Sequence, residues 1–334
     1  MEEKRLTYMD IAAGIMIVWV VLFHALGSGW VLEQGHEVPN TCLVFPYLHF
    51  FMPWFFYKSG MFFKHTERKE LWKKDAHKLL KPFVIWSVVG YVLFLLFAYV
   101  GNYLSFYKAT VSVAHDFILK GSIPVNEVLW FLLSLCAVRW IANEILPKRG
   151  DRYFIVKCLA IIAACYLITY LCYRFNHRWL PRWIANDFAG LAFYTLGYWL
   201  RDYEHKFWII IPCAIVYLLG CFCGFTMVDM WSNTLLSGYY LLWIPSCFCA
   251  IVLFNNVCRW IDNLSIYLSH ILSAIGRYAM PIYITHALLI ILMSEFITFI
   301  ALPSLIAYAS YVILVGLLIT LPLVCFIWKK VTSI

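Results

Sequence analysis

The chain has 334 residues, 63% of them hydrophobic and only 13% charged, whereas a soluble domain carries roughly 45 to 50% and about 25%. This excludes an ordinary water-soluble surface. Apolar runs recur from Ile11 to Trp328 with no polar stretch long enough to fold alone, so a single all-α integral-membrane domain over 1–334 is expected. The net charge of +8 gives no case for nucleic acid, because the basic residues fall where a membrane topology puts them.

The opening segment MEEKRLTYMDIAAGIMIVWVVLFHALG has a basic start and an apolar stretch. It lacks a small-residue cleavage site and carries Asp10 and His24, so it reads as a retained first span. A span needs about 20 apolar residues, which places helices near 10–28, 43–63, 82–104, 127–145 and 154–173. Five more follow near 186–200, 207–225, 237–255, 279–300 and 305–327, giving a polytopic bundle of about ten spans. The stretch 256–278 reads as an amphipathic helix lying along the membrane surface.

With the N-terminus inside, eighteen of the 26 Lys and Arg fall on inner segments and five on outer loops, which predicts both termini in the cytoplasm. Two segments stand out from that background. The outer stretch YRFNHRWLPRWIAND carries Arg174, Arg178 and Arg182 among aromatics. It fits either lipid-headgroup anchoring or binding of an anionic or sugar-phosphate ligand. The inner stretch KHTERKELWKKDAHKLLK is basic and helical in pattern, and serves either as the topology signal or as a dock for the phosphates of a cytoplasmic donor. Most of the twelve cysteines lie in apolar runs and read as small buried hydrophobes, with neither a disulfide framework nor a metal site expected.

Ionisable residues inside spans are costly and mark candidate sites. His24 is fourteen residues beyond Asp10, about 21 Å along a helix, which puts it toward the outer half at about the same level as His49. His286, counted from the start of its span, falls roughly 10 Å deep in the inner half, together with Lys58 and Arg139. Glu127 and Asp187 open their spans from the outer side.

Five strings in order, DIAAGIMIVWVVLFH (10–24), FFMPWFFYKSGMFFK (50–64), LWFLLSLCAVRWI (129–141), NDFAGLAFYTLGYWLR (186–201) and IGRYAMPIYITHALLI (275–290), resemble the acyltransferase-3 family of membrane acyltransferases. The likeness is to its stand-alone sugar O-acetyltransferases. The resemblance implies transfer of an acyl group, most often acetyl, from cytoplasmic acyl-CoA to a glycan or lipid-linked sugar in a bacterial inner membrane, with His24 essential. An imidazole can act there as general base toward a hydroxyl or carry the acyl group itself. Two positions depart from the family pattern. Ala13 stands where the family has Arg or Lys eleven residues before the histidine, and Phe51 precedes Met52 and Pro53 where the family often reads Phe-His-Met-Pro, with His49 two positions earlier. Lys58, at nearly the depth of Ala13, is a candidate for the missing cation.

The expected scheme holds the CoA phosphates on Lys58, Arg139 and the basic 64–81 stretch, with His286 also on the donor side. The acceptor approaches near Asp187, His49, Glu127 and the Arg174–Arg182 loop, and Asp187 orients an imidazole or binds hydroxyls. The soluble esterase-like domain often fused to such proteins is not expected in this chain, which leaves a direct glycan acceptor or a separate soluble envelope partner. The competing readings are a secondary transporter or flippase for a sugar lipid or anion, which also places charges and prolines within spans, and an inactive member of the family.

Overall fold

A computed structural model describes residues 6–26, 47–100, 106–123, 126–175, 181–300 and 315–316. The chain divides into two compact units, one formed by Met1–Phe45 with Phe254–Ile334 and the other by Pro46–Leu253.

In the first unit, α1 (Thr7–Leu26) is 20 residues of nearly continuous apolar sequence. Helix α10 (Trp243–Leu264) ends in this unit, followed by α11 (Ile266–Arg277) and α12 (Ala279–Ile300). The expected surface helix 256–278 is therefore split. Residues up to Leu264 continue α10, and Ser265 starts a new helix by accepting a hydrogen bond from the Leu268 amide at 3.3 Å. Pro281, which has no N–H to return to the Arg277 carbonyl, accounts for the break between α11 and α12, whose axes differ by 66°. Helix α11 buries Ser269, Ser273, Ala274 and Gly276 against the protein and exposes Ile266, Tyr267, Leu268 and Ile271. That polarity is inverted relative to a soluble helix and suits a lipid-facing one. Its buried side packs on α1 at two glycines: a Cβ on Gly14 would overlap the Leu272 carbonyl, and one on Gly276 the Asp10 carbonyl. At the same end of α1, Arg277 lies 3.9 Å from Asp10, and the Arg259 guanidinium stacks 3.8 Å from the Tyr8 ring centre.

The second unit contains α2 (Phe51–Met61), α3 (Arg68–Asp75), a π turn (Ala76–Leu80), α4 (Lys81–Val100), α5 (Phe106–Lys120), α6 (Trp130–Ile145), α7 (Phe154–Arg174), α8 (Arg182–Leu200) and α9 (Phe207–Cys223). The basic stretch and the third expected span form one run of helix, and the π turn falls where Pro82 cannot donate to the Lys78 carbonyl. Helix α8 is the centre of the unit, packing on α2, α6 and α7. Its approach to α2 is set by glycine, since a Cβ on Gly60 would overlap the Tyr194 carbonyl and one on Gly197 the Tyr57 carbonyl. Gly60→Leu is expected to destabilise the protein by about 3 kcal/mol, the upper part of the usual overpacking range, because the obstructing atoms are backbone. Thermal unfolding in detergent measures it, and an unchanged midpoint would contradict the close crossing.

Helices α4, α7 and α9 turn apolar residues outward, among them Val84, Val88, Ile155, Leu167, Phe207, Ile215 and Phe222. Such stripes are incompatible with water and fit acyl chains. Among the described residues five helices, or six if α11 and α12 form one bent span, are long and apolar enough to cross a membrane. The described parts of the expected spans 43–63 and 207–225 give helices of 11 and 17 residues. The last expected span, 305–327, and both chain ends lie outside the described residues except for 315–316. Two elements in this unit were not expected from sequence: α5, and an antiparallel hairpin of β1 (Met227–Asp229) with β2 (Thr234–Ser237), a small departure from an all-α fold.

Candidate active site

In the first unit α1 and α12 bring His24 and His286 together, with ring centres 5.1 Å apart and planes inclined by 46°. His24 is half-buried and edge-on to Phe23, with 5.3 Å between ring centres. His286 has no solvent exposure. Its Nδ1 faces the carbonyls of Tyr283 at 2.7 Å and Ile282 at 3.2 Å, and its Nε2 is buried without a hydrogen-bond partner among the described residues. The expected separation of the two imidazoles into outer and inner halves is corrected by this contact. Counting depth assumed that each span begins upright at the membrane surface, whereas α12 begins at a 66° bend beside α11.

In the second unit the segment joining α2 to α3 closes a cavity of about 190 Å3 with α6 and α8, lined by Phe62, Lys64, Thr66, Lys74, Arg139 and Tyr194 among others. Two of the three cations come from the basic stretch and the third from α6. Arg139 is held by Asp75, whose carboxylate accepts from the guanidinium Nε at 2.9 Å. Asp75 is 1% exposed while the Arg139 side chain keeps 30% of its surface, so the cation is anchored from behind and open in front. The second carboxylate oxygen of Asp75 is buried with no hydrogen-bond partner among the described residues. Thr66 is fixed to α6 by a pair of 2.9 Å hydrogen bonds with the Asn143 side chain, which locks the entry to α3. Lys58 lies one turn before Phe62, with its ammonium 5.3 Å from the Trp54 ring centre.

Helix α8 carries a second polar cluster two turns before Tyr194, roughly 10 Å along the axis. There Ser134 of α6 donates a hydrogen bond to the buried Asp187 carboxylate, and Asn186 donates to the Trp231 carbonyl at 3.1 Å. Glu127, expected to contact substrate, lies 3.6 Å from Lys120. The Lys120 ammonium also bonds Asp116 at 2.9 Å, and that hydrogen bond holds it above the usual lysine range and keeps it charged. His49 is buried in the turn before α2, its ring centre 5.5 Å from that of Phe225. Arg174 is exposed at the end of α7, Arg178 lies outside the described residues, and Arg182 opens α8 with a side chain outside the description.

The structure thus brings His24 and His286 together, pairs Arg139 with Asp75 and Asp187 with Ser134, and sets Tyr194 in the cavity lining beside Arg139; Asp75, Ser134 and Tyr194 were not singled out from the sequence. His24 and His286 belong to the first unit, and His49, Lys58, Glu127, Arg139, Arg174 and Asp187 to the second. Ten cysteines are described, all as free thiols. Among the described residues no three or more His, Cys, Asp or Glu side chains gather as a metal site.

A family model described as an acyltransferase domain matches residues 6–328, nearly the whole chain. No curated protein and no solved structure matches it.

Proposed function

Since the chain belongs to the acyltransferase-3 family of membrane acyltransferases, we propose that it moves an acyl group, acetyl first among them, from cytoplasmic acyl-CoA to a hydroxyl of an envelope or exported glycan or lipid-linked sugar. The observation that carries this reading is the cavity lined by Lys64, Lys74 and Arg139. Lys74 also pairs with Glu70 at 2.7 Å and Arg139 with Asp75, so with Lys64 the lining keeps a net positive charge that suits an anion, and a guanidinium braced by a buried carboxylate presents its remaining N–H groups in the fork that suits phosphate. At about 190 Å3 the space is smaller than the roughly 300 Å3 at which drug-sized ligands begin to be enclosed. It therefore takes a phosphate end of the donor, leaving the thioester arm to extend beyond it. Lys58, on the same helix end, is assigned to the donor side as well.

His24 is assigned the proton chemistry. It accepts the proton of the acceptor hydroxyl as the oxygen attacks the thioester carbonyl, the carbon–sulfur bond breaks, and the proton passes to the departing CoA thiolate. Asp187, oriented by Ser134, offers a carboxyl group that hydrogen-bonds the sugar hydroxyls, with His49, Glu127 and the Arg174–Arg182 segment on the acceptor side. In this reading the protein sits in the inner membrane with both termini in the cytoplasm, where the basic stretch meets the donor.

Purified protein in nanodiscs, given radiolabelled acetyl-CoA and an extracted envelope-glycan fraction, tests the proposal. Label is expected in the glycan with release of an equal amount of free CoA. In the same assay Asp187→Asn is expected to raise the acceptor KM about 10-fold, the upper worth of one ordinary hydrogen bond. Folded protein that neither transfers label nor releases CoA from several acyl donors would overturn the reading in favour of a transporter or an inactive member.

A further inference from the structure

His286 belongs to the first unit and the cation-lined cavity to the second, and the surroundings of His286 are unsuited to an anionic donor. It is fully buried, its neighbours are the rings of Tyr283 and His24, and its Nδ1 is turned back on its own helix. The carbonyls of Ile282 and Tyr283 can only accept, so the proton of the neutral ring resides on Nδ1. Nε2 is then a lone pair on the side of the ring away from that backbone, buried and without a hydrogen-bond partner among the described residues. A buried acceptor left unmet is destabilising, so it calls for a donor.

From this geometry we infer that His286 is the positioning residue for His24: its Nε2 accepts an N–H from the His24 ring and so fixes which His24 nitrogen is left to react. The inference rests on the acyltransferase reading for its kinetic consequence but not for the hydrogen bond itself. The spacing is suitable. Two imidazoles joined by an N–H···N bond of about 3 Å, with each nitrogen about 1 Å from its ring centre, have centres about 5 Å apart, and the observed separation is 5.1 Å. The buried His286 ring is fixed by its two carbonyls, so the half-buried His24 ring is the one that adjusts to make the bond.

The arrangement does for His24 what a carboxylate does for the histidine of a hydrolase triad, with a neutral acceptor in place of a charged one. With one His24 nitrogen holding its proton toward His286, the other carries the lone pair that takes the hydroxyl proton. The ring is then an imidazolium, still donating to His286, until that second proton is handed to the CoA thiolate and the starting tautomer returns. No proton is transferred to His286, whose own Nδ1 proton stays hydrogen-bonded to the carbonyls of Ile282 and Tyr283.

The test uses the full chain in nanodiscs with 15N-labelled histidine rings, the His24 signals being identified by their loss in His24→Gln. A single neutral His24 tautomer is expected in the wild type and a mixture of the two in His286→Leu. His286→Gln, whose side-chain oxygen can accept the same N–H, is expected to restore the single form. With acetyl-CoA and glycan, His286→Leu should lower kcat about 100-fold, within the range for misplacing a general base, and change the acetyl-CoA KM less than about 3-fold. His286→Gln should recover at least about 10-fold of that loss. An unchanged His24 tautomer in folded His286→Leu overturns the inference, and so does a raised acetyl-CoA KM at constant kcat, the signature of a donor ligand. If the wild type shows no transfer at all, the functional reading fails while the tautomer measurement still decides the hydrogen bond.

Discussion

Replacing His24 with Ala is expected to lower acyl transfer by at least about 1,000-fold, the upper part of the range for a general base, with little change in the acetyl-CoA KM or in the thermal midpoint. Each part has a separate physical source. The rate loss is large because no other imidazole in the described part of the first unit lies beside His24 except His286, and that ring has its Nδ1 proton committed to two carbonyls. The acetyl-CoA KM is spared because the groups assigned to the phosphates, Arg139, Lys64 and Lys74, line a cavity formed wholly within the second unit. Stability is spared because the side chain is only half-buried on a helix whose packing is set by Gly14 and by the apolar residues Ile17, Val20 and Val21. Initial rates over a range of acetyl-CoA concentrations, with unfolding followed on the same samples, check all three. A KM that rises while kcat holds would transfer His24 from the chemistry to donor binding.

Much of this architecture is legible in the sequence because hydrophobicity writes span positions directly. The first expected span, 10–28, overlaps α1, and the fourth and fifth overlap α6 and α7. What hydropathy does not carry is where a helix bends and which polar groups meet. Placing His24 and His286 in different halves failed because the chain bends by 66° between α11 and α12 near Pro281, and residue counting has no term for such a bend. The periodicity around it was informative: Ile282, His286 and Ile290 recur at four-residue spacing and are all buried, so the histidine belonged to an inward face. Asp75 was legible in the same way. In the basic stretch Leu71, Asp75 and Leu79 share one helical face, and all three are buried. A carboxylate on that face needs a cation, and Arg139 was the cation already singled out. Reading the stretch as a uniform field of positive charge hid that face. The partnership of Ser134 with Asp187 left no comparable trace, because serine is also enriched wherever membrane helices simply pack closely on one another.

The Asp75 and Arg139 pair yields a large expected effect on both stability and binding. Arg139→Leu should destabilise the protein by about 3 kcal/mol and abolish measurable acetyl-CoA binding, since it leaves a buried carboxylate without its counter-charge and removes the anchored cation of the cavity. The two consequences separate in the double variant. Asp75→Leu with Arg139→Leu removes the stranded charge and is expected to recover most of the lost stability, because a buried ion pair exchanged for apolar side chains is often close to neutral. It is not expected to recover binding, because Lys64 and Lys74 are exposed side chains whose attraction for a phosphate is screened by solvent and which lack the guanidinium fork. Thermal unfolding and equilibrium binding of acetyl-CoA to wild type, Arg139→Leu and the double variant give a cycle with distinct answers. Stability and binding returning together in the double variant would mean that Arg139 shaped the cavity without touching the donor. Stability returning alone identifies the pair as a charge held within the helix bundle for an anion to meet. In that arrangement Asp75 aims the guanidinium, and the energy lost in burying the carboxylate is offset by a cation that cannot turn away from the site.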